Sequence, residues 1–111
     1  MWFDYQKERY PGFNVLEKEW GFATYSYLTV KGERGVYIED IYIVPDRRED
    51  GLASVLSEEI QAIAAAEGAK YLLGSVATNS SSPTDSIAVL LAHGMQFLES
   101  DKEIIYFYKG I

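Results

Sequence analysis

The chain has 111 residues, no cysteine and a formal net charge of −7. The length predicts one compact domain over residues 1–111; the missing cysteines exclude a disulfide framework, zinc–thiolate sites and a thiol nucleophile, and suit a reducing compartment. The acidic balance argues against general nucleic-acid binding, which needs Lys and Arg to meet phosphates, and is compatible with a cationic substrate such as an amine.

Met1 to Tyr10 is charged and has no apolar run, so it does not read as a signal peptide. No stretch approaches the roughly 18 apolar residues of a membrane span. The expectation is a cytoplasmic protein without a membrane partner. Pro11-Gly12 breaks whatever helix or arm precedes it. Weak alternation over Phe13 to Lys18 predicts a strand. Trp20 to Val30 is aromatic and β-branched and predicts a second. Lys31 to Gly35 reads as a turn, and Val36 to Val44 as a strong strand stopped by Pro45.

Gly51 to Glu67 predicts a helix, with Leu52, Val55, Leu56, Ile60, Ile63 and Ala64 on one face. Gly68 closes it, and Tyr71 to Ala77 is a strand. After a polar loop from Asn79, Ser82-Pro83-Thr84-Asp85 looks like a capped helix start, with the helix running to about His93. Phe97 to Glu99 and Ile104 to Tyr108 predict a final hairpin around Ser100-Asp101-Lys102. The order gives an α/β (α+β) fold: a mixed, mainly antiparallel sheet with a central β-α-β unit and helices packed on it.

The stretch from Ile38 to Glu58 carries the chemistry. A hydrophobic strand enters a short turn holding Arg48-x-x-Gly51-x-Ala53, and an amphipathic helix opens at once. The first amides of a helix lack internal partners and its dipole favours negative charge, so this is an anion site. Arg48 adds a forked donor for phosphate; the competing reading is a solvated charge. Asp50 reads most simply as the helix N-cap. Glu49 and Asp50 also bring two carboxylates close to any bound phosphate. His93 stands at a helix C-terminus, where a cation is favourable without catalysis. The tyrosines read mostly as sheet packing.

These elements resemble the GNAT N-acetyltransferase superfamily. The matching features are Ile43, Pro45, Arg48-Glu49-Asp50-Gly51-Leu52-Ala53 and the helix after them. Then come the strand Leu72 to Ala77, Asn79, and Gly94-Met95. The order agrees over about Trp20 to Tyr108, and the style is close to short GNAT-like proteins encoded by tailed bacteriophages. The resemblance implies acetyl-CoA as cosubstrate and direct transfer to an amine of a small molecule or protein. It puts the pyrophosphate on the backbone of Arg48, Glu49, Asp50, Gly51, Leu52, Ala53 and Ser54. The pantetheine arm would run against Ile43-Val44, with a backbone amide there polarising the thioester carbonyl, and Asn79 would contact the arm. Glu39, read as sharing a strand face with Ile41 and Ile43, takes the position of a proposed base. Asp40 points to the other face and is the weaker candidate.

Two departures stand out. Leu90 occupies the position where the family often has a Tyr acting as acid to the thiolate, with Tyr106 or Tyr108 left as substitutes. The residues before the meander are also fewer than the family's usual strand and two helices. The acceptor pocket is then open, completed by a partner subunit, or lost. A homodimer is the simplest cover for apolar sheet left exposed. The alternative function is a catalytically inactive GNAT-fold binding or structural module, with or without CoA.

Overall fold

The computed structural model describes residues 12–30, 32–77, 90–91 and 94–111. Six strands form one sheet: β1 (Asn14–Lys18), β2 (Gly21–Val30), β3 (Glu33–Ile43), β4 (Tyr71–Ala77), β5 (Gln96–Asp101) and β6 (Ile104–Gly110). Helix α1 (Leu52–Ala66) connects β3 to β4. The strand order is β1-β2-β3-β4-β6-β5. All neighbours are antiparallel except β3 and β4, which are parallel. A parallel pair needs a crossover, and α1 is that crossover. The mixed, mainly antiparallel sheet around a β-α-β unit is the architecture expected.

The differences lie at turns. The expected turn at Lys31 to Gly35 is shorter, because Val30 pairs with Glu33 across a two-residue loop and β3 begins at Glu33. Gly32 supplies the positive φ of 79° that such a tight loop needs. The final hairpin is likewise longer than expected, with Asp101 opposite Ile104. The helix start read at Ser82, the loop from Asn79 and His93 lie outside the described residues; Leu90 and Leu91 are helical.

One face of the sheet carries the core. Ala23, Tyr25, Val36, Ile43, Leu72, Val76 and Phe107 meet Leu56, Ile60 and Ala64 of α1. The helix buries that single i, i+4, i+8 row. Val55 and Ile63, expected on the same face, are 44% and 37% exposed. A helix lying on a sheet hides a narrower stripe than six apolar positions suggest. Lys18 of β1 reaches over to Glu59 of α1 at 3.0 Å and fixes the helix from the side. Among the described residues no helix is long and apolar enough to cross a membrane.

Candidate acyl-CoA site

The site grows from the way β3 and β4 separate. Their backbone pairing covers only Gly35–Tyr71, Val36–Leu72 and Tyr37–Leu73. Both strands continue past that point without pairing to each other, so a cleft opens toward their C-terminal ends. Crevices of this kind are where parallel α/β units bind ligands. A cavity of about 190 Å³ lies in the cleft. Ile38 and Ile41 of β3 form one wall and Leu72, Gly74 and Ser75 of β4 another. Ala53, Ser54 and Ser57 of α1 line it, and Leu90 and Met95 close it. A Cβ on Gly74 would stand 3.8 Å from the Met95 methyl and 3.9 Å from Leu90, so its absence keeps the space open.

A bulge shapes β3 beside the cleft. Thr24 faces Asp40 and Tyr25 faces Ile38, which leaves Glu39 without a cross-strand partner. Glu39 therefore does not share the alternation of Ile41 and Ile43, contrary to the reading from spacing; Ile38 does. The extra residue resets the period of two. Glu39 is exposed. Asp40 stays in register with Thr24, on the face opposite Ile41, as read from the sequence.

Beyond the bulge, backbone direction decides which amide is available. The Val44 N–H donates to the Trp20 carbonyl at 2.9 Å. Successive strand amides point to opposite edges, so the Ile43 N–H is directed to the β4 side, into the cleft. Of these two amides, Ile43 alone can meet a ligand there.

The loop that follows is tightly turned. Pro45–Arg47 forms one turn of 3-10 helix, Arg48 is extended, and Glu49 and Gly51 take positive φ values of 71° and 75°. Helix α1 starts at Leu52 with Gly51 as N-cap and no side-chain cap. Asp50 is therefore not the cap. It lies 3.6 Å from Arg47 instead, and that pairing offsets one of the two carboxylates beside the helix start. The left-handed cap turns the chain into the helix at Leu52, and the Leu52 and Ala53 amides have no acceptors within the helix. No acidic side chain stands in that first turn to neutralise the dipole.

Arg48 folds back rather than reaching outward. Its Nε donates to the Ile43 carbonyl at 2.9 Å, and its guanidinium stands 5.6 Å from the Tyr42 ring centre. It ties the loop to the strand end. Arg48→Lys keeps the charge but loses the planar Nε donor. The expected result is that Lys and Ala at this position both cost about 1 kcal/mol in urea unfolding. A wild-type stability for Arg48→Lys would show that the tie contributes nothing.

Of the expected site residues, Ala53 and Ser54 line the cavity; Ile43 lies in the core at the strand end, Gly51 and Leu52 at the helix start, with Arg48 tying the loop to Ile43 and Glu39 on the adjacent bulge. Asn79 lies outside the described residues. Sequence reasoning missed Tyr37, whose hydroxyl lies 2.6 Å from Ser75 Oγ across the cleft. Its position two residues before Glu39 was the available signal, but aromatic residues in strands read first as packing.

Comparison with solved structures agrees with this fold. A protein assigned to the GNAT acetyltransferase family from Desulfovibrio desulfuricans superposes with a TM-score of 0.79 at 17% identity, covering 96% of this chain and 74% of that one. An acetyltransferase from Thermus thermophilus gives 0.73 at 14% identity over 96% and 70%. PaiA N-acetyltransferase from Thermoplasma acidophilum, solved in complex with coenzyme A, gives 0.73 at 11% over 96% and 66%. At such identities the likeness concerns the fold. No curated protein matches the chain in sequence. The model of the acetyltransferase (GNAT) family matches residues 2–95, and the chain belongs to that family.

Proposed function

We propose that this protein is an N-acyltransferase that takes the acetyl group of acetyl-CoA and passes it to an amine. The observation that carries the reading is the cleft past Tyr37 and Leu73, with the uncapped start of α1 at its mouth. Family membership supports acyl-CoA binding and acyl transfer. A diphosphate suits the backbone of Arg48 through Ser54, where amides and dipole favour negative charge. A narrow space of about 190 Å³ suits a flexible arm better than a nucleobase. The Ile43 N–H is directed toward a carbonyl lying in the cleft and would stabilise charge as it develops there.

The acceptor amine must lose a proton before it attacks. Glu39, exposed on the bulge beside Ile41, would take that proton through a water. The amine nitrogen then bonds to the carbonyl carbon and the carbon–sulfur bond breaks.

Leu90 favours a second reading. It lines the cavity where the family often carries a Tyr, which suits a protein that binds acyl-CoA without turning it over. Calorimetric titration with acetyl-CoA, followed by thiol release with a panel of amines, separates the two. Micromolar binding with thiol release supports the transferase. Binding without release over the whole panel supports the silent module, and no binding to millimolar concentration removes both.

A further inference from the structure

Tyr37 and Ser75 sit at the apex of the cleft. The β3–β4 backbone ladder ends at Tyr37 and Leu73. Ser75 lies two residues further along β4, on the same face as Leu73. The phenol spans that step, with its Oη 2.6 Å from Ser75 Oγ. Two hydroxyls therefore take over where the backbone bonds stop. Ser75 lines the inner cavity beside α1. Tyr37 lines a wider depression of about 640 Å³ with Ser26, Leu98, Glu99 and Tyr106. The pair stands between the two spaces beside Leu73, which lines both.

A thioester leaving group needs a proton at this kind of place. When the carbon–sulfur bond breaks, its electron pair stays on sulfur, and a thiol with a pKa of about 8.5 is mostly protonated at neutral pH. Leu90 has no proton to give. Tyr108 donates to Gln96 Oε1 at 3.4 Å and packs against Tyr71. Tyr25 and Tyr27 are on the α1 side of β2, Tyr25 in the core and Tyr27 packed against it. Among the described residues, Tyr37 alone combines a hydroxyl partner across the strands with a position at the cleft apex.

We propose that Tyr37, oriented by Ser75, gives the departing sulfur its hydrogen bond and its proton; this rests on the acyl-CoA reading above. A hydroxyl both donates and accepts. With Ser75 donating to Tyr37 Oη, the phenol hydrogen is directed to sulfur. The proton balance closes: the amine nitrogen loses one proton to Glu39 and water, sulfur gains one from Tyr37, and Tyr37 regains one from solvent through the outer depression. The titratable side chains facing Tyr37 there are Glu99 from β5 and Tyr106 from β6; β2 contributes Ser26, Leu28 and Thr29, none of them charged.

The test uses binding, so it needs no acceptor. Affinities of CoA and of desulfo-CoA, which lacks the sulfur, are measured at about pH 9, where a free thiol is largely thiolate. The wild type is expected to prefer CoA by about tenfold, the worth of a hydrogen bond to a charged group. Tyr37→Phe should abolish that preference while desulfo-CoA affinity stays within about twofold. Ser75→Ala should lose part of it. Equal weakening of both ligands by Tyr37→Phe, or an unchanged preference, overturns the proposal and leaves the acyl-CoA reading standing. A wild type that binds neither ligand overturns both.

Discussion

Ala53→Glu is expected to weaken acetyl-CoA binding about a hundredfold without lowering thermal stability. Ala53 is exposed at the second position of α1 and lines the cleft cavity. A carboxylate there would occupy the first-turn amides and face the ligand's diphosphate. At about 5 Å and an effective dielectric near 40, each pair of charges repels by roughly 1.7 kcal/mol. Two phosphate charges then give about 3 kcal/mol, or more than a hundredfold. The same carboxylate in a helical first turn stabilises the fold by about 0.3–1 kcal/mol. Ala53→Gln, matched in size and uncharged, separates charge from bulk. Equal losses for Gln and Glu would mean that space, and not the field at the helix start, controls binding.

Ile60→Ala is expected to cost about 3 kcal/mol, read as a fall of roughly 2 M in the urea midpoint. Ile60 is fully buried, between Leu56 and Ala64 on the row of α1 that meets the sheet. Removing three carbons leaves a void that the strands beneath can only partly close. Ile63, one turn away in sequence terms and equally apolar, is 37% exposed. Ile63→Ala should cost less than about 1 kcal/mol. Matching losses at the two positions would mean that the sheet contact is not what sets the importance of this helix.

Much of this was legible from side-chain patterning. The strand Tyr71–Ala77 falls where its apolar run ends in polar residues, and the helix after Gly51 follows from its periodicity. Patterning also marked the turn from Arg48 to Ala53, because small residues before an amphipathic run signal a tight passage from strand to helix. What it could not give is what depends on partners across the sheet. The bulge at Glu39 is a property of the register with Thr24 and Tyr25, and period counting from Ile43 crosses it unaware. The use of the Val44 amide by Trp20 is likewise a cross-strand fact. Asp50 had the chemistry of a cap, but the left-handed Gly51 placed the helix start one residue later. Arg48 had the chemistry of a phosphate ligand, yet the nearest acceptor for its Nε is the carbonyl of Ile43. Tyr37 and Ser75 are 38 residues apart and meet only because β3 and β4 run parallel.

The short parallel seam also has a mechanical meaning. The sheet consists of two antiparallel halves, β1-β2-β3 and β4-β6-β5, and each half is held together by antiparallel ladders. Among the described residues the ladder between them pairs three residues on each side; the Lys70 N–H to Arg34 carbonyl bond and the Tyr37–Ser75 hydroxyl contact add to it, and α1 lies across the junction. Opening the seam breaks fewer backbone bonds than unfolding either half, but it also uncovers Val36 and Leu72, so its cost is set by the core and not by the ladder. The ends of β3 and β4 beyond Tyr37 and Leu73 have no ladder between them to break. A small outward rotation of those ends would widen the cleft while both antiparallel ladders stay intact, and would admit a long ligand sideways instead of threading it from one end.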